Sequence, residues 1–177
     1  MFYAIHRTIK FTLFCCALWV VWKAYEHRQV VEPAFIWYDV WDNGGFDEKP
    51  MPKISGHVEK VLSSQTFILT KTNSVRYNVR LMGLRDPSKD LSLESLEREK
   101  KRREGLRDLI EGKDVSLNLA YENFNNIGGI VFLNSTNINA CLIQQHLAFT
   151  DKELVKGFSK EIQYQMLWSK RHHATNY

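Results

Sequence analysis

The side chains able to do chemistry in this 177-residue chain are scattered, with no familiar catalytic signature gathering them. The densest run is Glu97-Arg-Glu-Lys-Lys-Arg-Arg-Glu104, where Lys100, Lys101, Arg102 and Arg103 suggest a patch for nucleic acid or an anionic membrane surface. Placed on a helix, the same stretch yields Glu94 to Arg98, Glu97 to Lys101 and Glu99 to Arg103. These are Glu-then-basic pairs four residues apart, the order that supports an exposed helix. A solvated helix face is therefore expected, and nucleic acid is not the favoured partner. His172 and His173 lie in a polar C-terminal stretch far from His57 and His146, without CxxC or HExxH spacing, so no metal site is expected. Cys15 and Cys16 are adjacent and Cys141 is remote, which suggests no disulfide framework. Asn134-Ser-Thr136 is a glycosylation sequon that matters only if the domain faces a secretory lumen. GxGxxG, Walker and serine-nucleophile motifs are missing, so no cofactor is expected.

The elements that must position these groups follow from composition and patterning. With 44% hydrophobic and 25% charged residues, the chain has the make-up of a folded domain. Its 24 Lys and Arg against 20 Asp and Glu exclude a histone-like polycation, and three cysteines exclude a disulfide-stapled mini-domain. Residues 1–28 hold four basic residues against one acid, whereas residues 29–53 hold five acids against two lysines. Phe11 to Trp22 is uncharged but spans only about 18 Å as a helix. Residues 4–25 reach membrane thickness if Lys10 and Lys23 snorkel and Trp19, Trp22 and Tyr25 sit at the interface. The expectation is an N-terminal membrane helix within residues 1–28 that contacts lipid through 4–25; a cleaved signal peptide and a buried helix of a larger assembly are the alternatives. Residues 29–53 lack a sustained period and read as an aromatic and acidic linker. There Trp37, Tyr38 and Trp41 either pack back on the following domain or contact a partner protein or the bilayer surface.

From Ile54 onward the pattern is that of strands. Residues 54–62 alternate, 66–70 are β-prone, and Val75 to Leu84 sets Val75, Tyr77, Val79, Leu81 and Gly83 against Arg76, Asn78 and Arg80. A helix over 91–112 ends at Gly112. Residues 115–119 form a fourth strand, and Gly128-Gly129 opens a fifth over 130–133. A short helix over 138–147 follows, and Thr150-x-x-Glu153 reads as the capping box of one last helix carrying Leu154, Phe158, Ile162 and Met166. Residues 169–177 read as a polar tail.

The order three strands, helix, two strands, helix, helix resembles the staphylococcal nuclease-like (thermonuclease) family, over residues 54–168. The resemblance rests on GHVEKVLSSQTFIL against the family's G-x-V-x-x-V-x-D-G-D-T, and on VRLMGLRDP against V-R-L-x-G-I-D-x-P. It also rests on GKDVSL, on INACLIQQHLA against V-N-x-x-L-V-x-x-G-x-A, and on a helix ending MLW. It implies a mainly β fold with helices, an OB-fold barrel, with Val58, Phe67, Leu69, Val79, Leu81, Val115, Leu117 and Val131 inside.

The family's activity is phosphodiester hydrolysis with Ca2+ held by carboxylates, a Glu acting on water, and two Arg at the phosphate. Matched position by position, the two acids of the first turn fall on Ser63 and Gln65, with Thr66 retained. The third acid falls on Arg85, with Asp86 one residue away, and the Glu falls on Ser88. Arg80 is retained, and the second Arg falls near Asn126. A hard cation needs several carboxylate oxygens, so the family's calcium site is expected to be lost and no catalytic residues are expected. Arg80 either pairs with a nearby acid or carbonyl or binds an anion. The expected function is a membrane-anchored, catalytically inactive accessory subunit with protein partners in a membrane complex. The alternatives are a membrane-tethered phosphodiesterase with a rearranged site and a non-cleaving nucleic-acid-binding module.

Overall fold

The computed structural model describes residues 28–43, 51–85 and 92–173, together with Trp19 and Lys23. The chain divides into two units, Met1–Tyr38 and Asp39–Tyr177, and the sheet belongs to the second. Among the described residues, six strands, Lys53–Val61 (β1), Thr66–Thr70 (β2), Arg76–Leu81 (β3), Asp114–Asn123 (β4), Asn126–Leu133 (β5) and Thr136–Asn137 (β6), pair in the order β3-β2-β1-β4-β5-β6. An additional parallel pairing of β3 with β5 closes the first five into a barrel, and β6 extends β5. The expected barrel with helices is therefore present, a class with which an OB fold is compatible. Alternation explains its core. Val58 faces Leu69, Val61 faces Phe67, Phe67 faces Val79 and Val79 faces Ile127 across successive ladders. All eight side chains expected inside are buried, each contributing roughly 1.5–3 kcal/mol.

Strand β5 begins at Asn126, four residues before the expected Ile130. Its glycines sit within the strand because neighbouring chain occupies the space of their side chains. A Cβ at Gly129 would lie 2.0 Å from the Asn118 carbonyl oxygen, and one at Gly128 would lie 2.1 Å from the Tyr121 ring. The barrel closes at that tight point.

Among the described residues there are five helices: Arg28–Asp42 (α1), Leu93–Ile110 (α2), Ile138–Gln144 (α3), Lys152–Val155 (α4) and Lys160–His173 (α5). Ser92 caps α2 by accepting from the Ser95 amide, and Gly112, at φ +74°, lets the chain turn away after it. Three sequence expectations are corrected. Part of the supposed linker is helical, although Pro33 lies inside α1 and argues locally against it. Its last turn is fixed by distant partners: Arg171 donates to Asp39 at 2.9 Å, Lys152 donates to Asp42, and buried Asn43 donates to the Lys152 carbonyl at 2.9 Å. The single last helix is two helices, parted at Gly157 with φ +91°. Thr150 does not cap the first of them, because its hydroxyl donates to the Gly83 carbonyl at 2.6 Å, and Asp151 takes the cap instead. Most of the supposed tail belongs to α5: Ser169 is buried, and the His172 ring stacks on Trp168 at 3.7 Å.

Among the described residues, no helix is long and apolar enough to cross a membrane. The expected anchor over 4–25 lies outside the described residues, apart from Trp19 and Lys23.

Candidate functional site

The turn between β1 and β2 is tied together by the side chains at the matched metal positions. The Ser63 hydroxyl accepts from the Gln65 and Thr66 amides at 3.2 and 3.1 Å and shares a 2.7 Å hydrogen bond with the Thr66 hydroxyl. Gln65 is buried, and its side-chain amide donates to the Arg85 carbonyl at 2.5 Å. Its own carbonyl accepts from the Leu81 amide at 2.8 Å. The turn is thereby locked to both ends of the segment that follows β3.

That segment is held from the other side by α3 and the stretch after it. Buried Asn139 accepts from the Val131 amide at 3.0 Å and donates to the Met82 carbonyl at 2.8 Å, Thr150 holds Gly83, and the Arg85 amide donates to the Phe149 carbonyl at 2.8 Å. With its backbone so fixed, Arg85 extends a guanidinium to the Asp151 carboxylate at 3.0 Å. Asp151 also accepts from the Leu154 amide at 3.0 Å. The Arg85 guanidinium, foremost, and then that amide hold the Asp151 carboxyl below the usual carboxylate range. Asp86 and Ser88 lie outside the described residues.

Two clefts meet at Arg85. The first, about 470 Å³, is lined by Arg80, Tyr121, Arg85, Asp151 and Glu153 among others. Arg80 lies on the outer face of β3, opposite Thr66 on β2 and Gly128 on β5. Asn126 stays on that face two residues along, where its side-chain oxygen accepts from Asn78 at 3.2 Å. The matched arginine position is thus a neutral amide pair, and the neighbouring ring of Tyr121 packs over Gly128. Asp151 and Glu153 are not recognisable as site residues in the sequence, because only the fold brings them into one cleft with Arg80 and Arg85.

The second cleft, about 370 Å³, runs beneath the first half of α2 and is lined by Ser64, Gln65, Arg85, Leu147 to Phe149, and Ser95, Arg98, Glu99 and Arg102. The last four are spaced at three and four residues and so form one helix face. The expected exposed helix holds for Glu94, Glu97, Arg98, Lys100, Lys101 and Glu104, whereas Glu99, Arg102 and Arg103 are half-buried. Of the three expected charge pairs, Glu94–Arg98 forms at 3.8 Å. Glu99 turns instead to the β1–β2 turn, where its two oxygens accept from the Ser64 amide at 3.1 Å and the Ser64 hydroxyl at 2.8 Å. Arg102 lies over the Phe149 ring at 5.4 Å, a cation–π contact. Arg103 is half-buried, and its Nε is enclosed with no hydrogen-bond partner among the described residues. Lys100 and Lys101 are exposed on the outer face. Trp37, Tyr38 and Trp41 are exposed as well, at 47%, 58% and 54%.

Among the described residues, no three His, Cys, Asp or Glu side chains are grouped to hold a metal ion. The comparisons with known proteins add no relative, since no family model matches the chain and no curated protein matches it.

Proposed function

We propose that the chain is a divergent staphylococcal nuclease-like OB barrel, held at a membrane through residues 4–25, that acts as a non-hydrolytic accessory subunit of a membrane-associated assembly. One observation carries the reading: Ser63, Gln65 and Arg85, at the positions where the family places its metal-binding acids, are engaged within the protein, Ser63 and Gln65 by backbone groups and Arg85 by Asp151 at the start of α4. A divalent cation there would meet a guanidinium in place of carboxylates. At an effective dielectric of about 20 and a separation of ~5 Å, that charge opposes it by roughly 7 kcal/mol before screening. The exposed Trp37, Tyr38 and Trp41 are of the residue types that supply interface energy to such a subunit.

A second reading, a tethered phosphodiesterase with a rearranged site, draws on the presence of Asp151 and Glu153 in the cleft that contains Arg80. Against it, both Asp151 oxygens already accept hydrogen bonds, one from Arg85 and one from the Leu154 amide. A single remaining Glu does not make a calcium site.

Native separation of the full chain, extracted in mild detergent, tests the accessory role. The expected result is migration in an assembly larger than the chain itself, with a partner at fixed stoichiometry. Migration of the chain alone contradicts the role, and calcium-dependent cleavage by that lone species replaces it with the second reading.

A further inference from the structure

The cleft beneath α2 has a charge arrangement that neither the barrel's stability nor the accessory role requires. Three guanidiniums line it, Arg98 and Arg102 from successive turns of α2 and Arg85 from the segment after β3, together with one carboxylate, Glu99. Both Glu99 oxygens are occupied by Ser64, so the carboxylate serves the β1–β2 turn and not the arginines. Arg98 has Glu94 at 3.8 Å, but that carboxylate is 80% exposed, and such pairs hold their partner weakly. Arg102 has no ion pair among the described residues and is steadied over the Phe149 ring. Arg85 gives one amino group to Asp151, which lies in the other cleft, and keeps further donors. The lining therefore offers many N–H donors and hardly any vacant acceptor.

We infer that this cleft binds a small phosphorylated ligand, with its phosphoryl group against Arg85, Arg98 and Arg102 and its carbon skeleton against Leu147, Ala148 and Phe149. Arginine's planar fork matches tetrahedral oxyanions. A carboxylate brings two acceptor oxygens to three guanidiniums, whereas a phosphate monoester brings three. The volume, about 370 Å³, lies at the small end of ligand pockets, which suits a phosphorylated metabolite or a lipid phosphomonoester headgroup and is too small for a folded polymer. The inference stands apart from the accessory role, since it turns on Arg98 and Arg102 of α2, while Gln65 and Arg85 are shared with the matched metal positions.

The test is titration calorimetry on the full chain in mild detergent, with glycerol 3-phosphate as the soluble probe and phosphatidylcholine vesicles with and without phosphatidate as the lipid probe. Saturable binding of either phosphomonoester is expected, and the arm that binds more tightly identifies the source. Arg98→Gln and Arg102→Gln should each weaken it about tenfold or more. Lys101→Gln, which removes the same charge from the outer face of the same helix, should leave it within twofold. Glutamine keeps helix propensity, and unchanged circular dichroism of each variant separates lost binding from lost folding. No saturable binding of either probe at millimolar concentration overturns the inference, as does equal weakening by Lys101→Gln, which would reduce the effect to general surface charge.

Discussion

The two clefts that share Arg85 solve opposite problems with similar residues. On the Arg80 side, two arginines share the lining with Asp151 and Glu153, and Arg85 is paired with Asp151 at 3.0 Å. Beneath α2, three arginines face one glutamate whose oxygens are already engaged. The first cleft brings equal numbers of acidic and basic side chains together; the second leaves donors in excess of acceptors. The contrast lies in charge pairing, and the less balanced cleft is the one that α2 adds beside the matched positions Gln65 and Arg85.

The largest effect is expected where both clefts depend on the same closure. Gly129→Val should destabilise the protein by about 3 kcal/mol or more, since its side chain would displace the β4 backbone at Asn118. Thermal unfolding of the full chain should show the loss. Unchanged stability would mean that the β4–β5 approach is not as close as described.

A smaller perturbation should separate the clefts. Glu99→Ala strands the Ser64 amide and hydroxyl at a buried turn, at a cost of about 2 kcal/mol. Glu97→Ala, on the exposed side of the same helix, should stay within about 0.5 kcal/mol. Chemical denaturation of both variants compares them directly, and equal effects would erase the distinction between the inner and outer faces of α2.

The smallest effect sharpens the Arg80 side. Because Arg85 and the Leu154 amide favour the charged Asp151 carboxylate, their contribution to stability is present at neutral pH. It is lost only in acid, as pH falls through the lowered Asp151 titration. Arg85→Gln should move that titration upward toward the ordinary carboxylate value, as followed by carboxyl NMR, while costing well under 1 kcal/mol because the pair is partly exposed. A titration that does not move would assign the shift to the Leu154 amide alone.

How legible these features are in the sequence follows from the range of the interactions that make them. Strand alternation is local, so Val58, Phe67, Val79 and Leu117 are readable as core without any knowledge of their partners. The cleft beneath α2 is not readable in that way. Arg98 and Glu99 have plausible partners four residues away, yet Glu99 bonds a serine 35 positions earlier in the chain. The spacing of Ser95, Arg98, Glu99 and Arg102 is visible, but only the neighbouring turn decides whether that face meets solvent or chain. Thr150 fails as a cap for the same reason, since a carbonyl 67 residues away takes its hydroxyl. Helix α1 was hidden by Pro33 and by contacts from Lys152, Gln163 and Arg171, which no local pattern encodes.

The central claim is that Ser63, Gln65 and Arg85 are structural residues at the positions where the proposed family would hold a metal. The most direct measurement combines cleavage of single-stranded DNA by the full chain in millimolar calcium with thermal unfolding of the same sample, with and without calcium. The account predicts no cleavage and no calcium-dependent rise in unfolding temperature. Calcium-dependent cleavage that disappears in Arg80→Ala would contradict it.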